Sequence, residues 1–207
     1  MKDNKSNNLV SHHAPHDVFS NPDMVVKMFD APERDKWQKP NEVIKSFNLP
    51  LDAVVVEIGA STGYFVMRLA EQVKNGKIIG FEPSSTMATY LQHRAEELGL
   101  KNVDARITKP DGTFELEETA DLIFSVDVYH HLKDRITYFS NIAQYLKPNG
   151  VLVVIDRTEE RVEGQPSGHR VPKEQIKEEM EEAGFELSNE FDFLLPVQHY
   201  LTFKRAL

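Results

Sequence analysis

The sequence predicts an α/β fold: three layers, with helices covering both faces of a mostly parallel, doubly wound sheet of about seven strands. Two observations predict the sheet and a third its edge. From residue 50 onward, short continuous runs of β-branched and apolar residues alternate with amphipathic stretches of helical period. Runs of that kind are strands buried on both faces, and joining them through helices makes the sheet parallel. Near the C-terminus the alternation stops, because "FELSNEFDFLL" and "QHYLTFKRA" are separated only by "PV". No crossover helix fits there, so these two strands form an antiparallel hairpin at one sheet edge.

Taken in order, residues 1–22 are rich in Asn, Ser, Asp and His and read as a poorly ordered polar arm. Residues 23–49 hold two short amphipathic pieces, "MVVKMF" and "NEVIKSF", on either side of "DAPERDKWQKP", and read as a small helical cap. Residues 50–207 form the main domain. There "AVVVEIG" is the first strand, "GYFVMRLAEQV" a helix and "GKIIGFE" the second strand. "SSTMATYLQHRAEELGL" is a helix with serine near its start and Gly99 at its end. "NVDARI" and "ADLIFSV" are the third and fourth strands, "RITYFSNIAQYL" a helix stopped by "KPNG", and "GVLVVID" the fifth strand. The helix "PKEQIKEEMEEAG" precedes the terminal hairpin; its dense acids read as a solvated face.

Composition removes several classes of function. The chain has 207 residues, enough for one full core, with 24 Lys and Arg against 33 Asp and Glu and a net charge of −9. That field repels nucleic acid and anionic lipid, and no basic patch offsets it. No apolar run approaches the ~20 residues of a membrane span, and the start lacks a secretory pattern; the expected location is the cytoplasm. The absence of cysteine excludes disulfides, thiolate metal sites and cysteine nucleophiles. His12, His13 and His16 have spacings that could hold a metal, but they stand in the polar arm beside Pro15, and no metal site is expected.

In an open α/β sheet, ligands bind beyond the carboxyl ends of the strands. The first such end offers Glu57, Gly59, Ala60, Ser61, Thr62 and Gly63; its glycines permit a tight turn and a close ligand, and the next helix starts there with free N–H groups. The second strand ends in Glu82, 19 positions beyond Gly63, where a carboxylate accepts hydrogen bonds from both hydroxyls of a ribose. An adenosine ligand follows. A dinucleotide fingerprint needs glycine at its first, third and sixth positions, but counting from Gly59 the third is Ser61 and the sixth Tyr64. A ligand with an amino acid in place of phosphates suits the acid Glu57, and that ligand is S-adenosylmethionine.

"VVVEIGASTGYF", "IIGFEPSSTM", "ADLIFSVDVYHHL" and "LKPNGVLVVID", in that order, resemble the class I S-adenosylmethionine-dependent methyltransferases, with their Rossmann-like fold, over roughly residues 50 to 205. "FDAPERDKWQKPNEVI" is similar to the entry segment of a subgroup of small bacterial methyltransferases. Ser61 departs from the family's common glycine. The resemblance implies that Gly59, Ala60, Ser61 and Gly63 meet the methionine part of the cofactor, Glu82 the ribose and Met87 the adenine. Thr108 or Asp111 would reach the adenine amino group, and Ser125, Val126 and Asp127 would lie by the transferable methyl.

Methyl transfer needs in-line placement and, for an acceptor that must lose a proton, a base. The candidate catalytic cluster is Asp127, Tyr129, His130 and His131, directly after the fourth strand, with Asp156 and His169 second. Trp37 in the cap is a candidate to close the site against water. The expected activity is methylation of a small molecule, with the oligomeric state open. The alternative is a silent methyltransferase-fold protein that binds cofactor or regulates a partner.

Overall fold

The computed structural model of the chain describes residues 18–160 and 168–206. His12, His13 and His16 and most of the polar arm lie outside the described residues, as do residues 161–167. The arm's last residues are folded: Val18–Ser20 make a 3-10 turn, and Phe19 stacks on Phe29 with ring centroids 6.3 Å apart.

Three helices precede the sheet: α1 (Pro22–Phe29), α2 (Pro32–Gln38) and α3 (Pro40–Ser46). Each opens on a proline, whose missing N–H would have no helical partner there anyway. The middle helix occupies the segment expected to separate two others. It has no apolar period, but its proline start and the acids Glu33 and Asp35 in its first turn, set against the positive helix end, favour a helix. Lys39, at φ 47°, turns the chain between α2 and α3.

The main domain follows as β1 (Val54–Ile58), α4 (Tyr64–Gln72), β2 (Lys77–Glu82), α5 (Ser85–Glu97), β3 (Val103–Ile107), β4 (Ala120–Val126), α6 (Arg135–Ile142), β5 (Leu146–Arg157), α7 (Lys173–Glu182), β6 (Phe185–Phe191) and β7 (Gln198–Arg205). The seven strands form one sheet of order β3-β2-β1-β4-β5-β7-β6. The first five pair in parallel, whereas β7 is antiparallel to both β5 and β6 and lies between them. Strand order reverses between β1 and β4, which opens the crevice where an open sheet takes its ligand.

Two element ends differ from the sequence expectation. The helix α6 ends at Ile142 and passes through a 3-10 turn at Ala143–Tyr145, so "KPNG" belongs to β5 instead of stopping the helix. A Cβ at Gly150 would lie 2.9 Å from the Ala120 carbonyl oxygen, so glycine is what lets β5 run this close to β4 where their register shifts. Between the last two strands, residues 192–197 turn where the pattern suggested more strand.

Each sheet face buries its own core. Val43 and Ile44 of α3 and Phe65 and Leu69 of α4 pack on Phe124 and Tyr200; on the other face Phe139, Ile142, Ile176 and Met180 pack on Leu152 and Phe203. Burying each such side chain contributes ~1.5–3 kcal/mol, which fixes the strand ends on which the site stands. No helix among the described residues is long and apolar enough to cross a membrane.

Candidate active site

The loop after β1 is held by its own backbone. Gly59 (φ 73°) and Gly63 (φ 81°) take left-handed angles, and Ser61 does so at φ 47°. The N–H groups of Gly59 and Ala60 donate to the Phe81 carbonyl at 2.8 and 3.0 Å, tying the loop to β2. Glu82, at the end of β2 and 4% exposed, accepts from Ser61 N with one carboxylate oxygen and from Ser84 N with the other, each at 3.0 Å. Burial raises its pKa; the two N–H donors oppose the shift.

Four buried polar atoms converge on this edge without a partner among the described residues: Glu57 Oε2, Ser61 Oγ, Thr108 Oγ1 and Ser125 Oγ. Leaving a buried polar atom unpaired costs ~1–3 kcal/mol, and native proteins seldom accumulate such atoms in one place. The four lie at or just beyond the carboxyl ends of β1, β3 and β4, which is the pattern of a polar ligand site. Glu57 is buried, and burial pushes its carboxyl well above the ordinary range against the pull of Arg34.

Asp127 follows β4 at φ 56°, and its Oδ1 accepts from Gln198 Nε2 at 2.9 Å. The Gln198 oxygen in turn accepts from Gln38 Nε2 at 2.5 Å, so a buried glutamine pair connects the cap helix α2 to Asp127. Burial and the neighbouring Asp156 raise the Asp127 pKa, while Arg157 opposes. Beside it, His130 Nδ1 lies 2.6 Å from Asp156 Oδ1 and the His130 N–H donates to Asp156 Oδ2 at 2.9 Å. Both side chains are 1% exposed, and His130 Nε2 is buried without a partner among the described residues. A carboxylate on Nδ1 fixes the proton there and leaves the Nε2 lone pair available.

The cap covers this edge. Asp30 accepts from Thr62 Oγ1 at 2.6 Å and pairs with Arg94 at 2.6 Å. The Arg34 guanidinium lies 3.8 Å from the Tyr64 ring centroid, donates to Phe29 O and Gln38 Oε1, and acts electrostatically on Asp127 and Glu57.

The structure brings Glu57, Gly59, Ala60, Ser61, Gly63, Glu82, Ser125, Val126, Asp127 and His130 to one edge; Met87 is fully buried at the start of α5. It separates others. Asp111 is exposed and its Oδ1 accepts from Thr113 N and Oγ1, whereas Thr108 Oγ1 is buried and without a partner among the described residues. Tyr129 corrects the expected cluster: its ring is fully buried against Phe139 and its hydroxyl donates to Glu179 at 2.6 Å, because a 3-10 turn at Tyr129–His131 aims it at α7. His131 is exposed, its ring centroid 4.0 Å from that of His130, and His169 is exposed. Trp37 is half-buried, and it is the adjacent Gln38 that reaches the site. Sequence reasoning missed Arg34, Gln38 and Gln198; polar residues inside otherwise apolar or proline-bounded segments were the available signal.

Residues 56–152 match a family model described as a methyltransferase domain. A (S)-tetrahydroprotoberberine N-methyltransferase of Eschscholzia californica is 31% identical over 103 residues, 48% of this chain and 28% of that protein. A tRNA U34 carboxymethyltransferase of Aliarcobacter butzleri is 28% identical over 184 residues, 77% of this chain and 57% of that protein. Residues 56–152 thus carry a methyltransferase domain similar to those of S-adenosylmethionine-dependent enzymes. A solved methyltransferase of this kind, from Aquifex aeolicus, shares the fold with a TM-score of 0.71 at 23% identity, over 88% of this chain and 98% of that one. The chain thus spans about a quarter of the plant relative and just over half of the bacterial one. S-adenosylmethionine is the cofactor of such domains, and the chain has residues that fit it: an acid at the end of β2, a loop whose glycines take left-handed angles, and the four polar atoms without a partner among the described residues.

Proposed function

We propose that the protein transfers a methyl group from S-adenosylmethionine to a small-molecule acceptor. The observation that carries this reading is the convergence of unpartnered Glu57, Ser61, Thr108 and Ser125 atoms beside Glu82 at the strand ends. Glu82 would exchange one or both backbone donors for the ribose hydroxyls, Thr108 would meet the adenine, and Glu57 and Ser61 the methionine end. The bound cofactor supplies a methyl group on a positively charged sulfur, open to displacement along one line. Placing the acceptor on that line does much of the work. His130 Nε2 takes a proton from an acceptor that must lose one, with Asp156 holding the ring and balancing the charge it gains.

Two features support a small acceptor: a cap built of three short helices, and a net charge of −9 that disfavours a polyanion. The bacterial relative's name raises tRNA as the second acceptor class. The test is calorimetric titration with S-adenosylmethionine, S-adenosylhomocysteine and NADH, followed by radiolabelled methyl transfer to a metabolite panel and to bulk tRNA. Binding of the first two ligands and labelling of a metabolite is the expected result. Labelling of tRNA alone would overturn the small-acceptor reading, and binding of NADH alone the whole proposal.

A further inference from the structure

Beyond Asp127, on the side of the crevice formed by β4 and β5, the strand ends gather positive charge in a chain that is acidic overall. Arg157 is the last residue of β5; its side chain is 13% exposed, and its Nε lies 3.6 Å from Asp127 Oδ1, too far for a hydrogen bond. Among the described residues its guanidinium makes no hydrogen bond, so a nearly buried five-donor group has one loose ion pair. Arg170 stands next to it: a Cβ on Gly168 would lie 3.2 Å from Arg157 Nη1, and Arg170 Nη1 reaches Gly168 O at 3.4 Å. Among the described residues Arg170 Nε is buried without a partner, as is Nε of Arg34, whose charge acts on Asp127 from the cap.

The two carboxylates of this region are largely engaged, Asp127 by Gln198 and Asp156 by His130 and the Arg157 N–H, and of the two arginines that act on Asp127, Arg34 is already bonded to Phe29 O and Gln38. Unused donors on partly buried arginines cost free energy unless something else takes them. We propose that the methyl acceptor carries a carboxylate and that Arg157, with Arg170 beside it, binds that carboxylate. This rests on the methyltransferase function proposed above. A planar guanidinium matches a carboxylate with two parallel hydrogen bonds. The Arg157 side chain lies beside Asp127, whose carboxyl feels that of Asp156, the partner of His130, so a carboxylate held there is on the same side of the crevice as His130.

The test uses the whole chain saturated with S-adenosylhomocysteine and three acceptor pairs that differ only in charge: 4-hydroxybenzoate and 4-hydroxybenzamide, 2-aminobenzoate and 2-aminobenzamide, glycine and glycinamide. Calorimetry reads binding, and S-adenosylhomocysteine release reads turnover once S-adenosylmethionine replaces it. At least one acid should bind tenfold or more tighter than its amide. Arg157→Gln should abolish that preference, Arg157→Lys should restore part of it, and S-adenosylhomocysteine affinity should stay unchanged in both. Arg170→Gln should cut the preference severalfold and guards against a misfolded Arg157 variant. Equal binding of acid and amide, no binding by any of the acids, or a preference that survives both glutamine variants would overturn the proposal. Failure to bind S-adenosylhomocysteine at all would instead count against the methyltransferase function itself.

Discussion

Replacing Gly59 by alanine tests how tightly the loop after β1 is built. Gly59 sits at φ 73°, and a Cβ there would lie 2.5 Å from Val128 Cγ2 and 3.4 Å from Cγ1. A left-handed backbone costs an L-residue ~1–2 kcal/mol, and overpacking against a stiff β-branched side chain adds ~1–3 kcal/mol. Together these give roughly 2–5 kcal/mol, and at ~2–4 °C per kcal/mol for a chain of this size Tm should fall by about 4–20 °C. Thermal unfolding followed by circular dichroism should be compared for the wild type, Gly59→Ala, Val128→Ala and the double variant. Val128→Ala removes both offending carbons, so in its presence the added Cβ should cost only the backbone strain, and the double variant should be ~1–3 kcal/mol more stable than the two single losses sum to. A Gly59→Ala protein as stable as the wild type, or strictly additive losses, would refute the reasoning.

Glu82→Gln removes a charged acceptor from two backbone donors and from the ribose; cofactor affinity should fall roughly ten- to a hundredfold for a lost charged hydrogen bond of ~1.5–3 kcal/mol, and an unchanged Kd by calorimetry would exclude the role. Burial raises the Glu57 pKa well above the ordinary carboxylate range, so the folded protein holds a proton that the unfolded chain releases, and Glu57's contribution to stability falls as pH rises through that raised value. Glu57→Gln should therefore gain on the wild type in Tm as pH increases, and a gap that shrinks with pH would contradict this. For the same reason S-adenosylmethionine, whose methionine arm carries a sulfonium and an α-ammonium, should bind the wild type more tightly as pH rises and release a proton from Glu57 on doing so; titration in buffers of different ionisation enthalpy measures that proton. His130→Ala should leave cofactor affinity unchanged and lower kcat by ~10²–10⁴ on an acceptor that must be deprotonated, whereas a collapse in cofactor affinity would make the residue structural.

Where the sequence was informative, the cause is periodicity. Strands such as "AVVVEIG" and "ADLIFSV" are continuous apolar runs because both faces are covered, and each was placed within about two residues. The helix α2 was missed because its stability comes from a proline start, acids in its first turn and docking on Tyr64 and Gln198, none of which leaves an apolar period. The end of α6 was misplaced because glycine and proline usually break helices, while here Gly150 serves a close approach of two strands, a tertiary fact that no local pattern records.

The proposed cofactor half of the site was legible because its residues are contiguous with strand ends: Glu57, Gly59, Ser61 and Glu82 each follow an apolar run that fixes where they must lie. The proposed acceptor half is assembled from four separate segments. Asp127 comes from the end of β4, Asp156 and Arg157 from the end of β5, Gln198 from the start of β7 and Gln38 from the cap. Position after a strand nominates a residue; it does not say which way the side chain turns. Tyr129 and His130 are neighbours on one 3-10 turn, yet one hydroxyl is taken up by Glu179 and one imidazole nitrogen is left unpartnered beside Asp156. What separates them is a partner fifty positions away in α7, and Gln38 meets Gln198 across a still longer interval of chain. The chemistry on the acceptor side is thus a property of how the cap and the reversed strand β7 meet β4 and β5, and a substitution at Gln198 should disturb Asp127 as surely as one beside it.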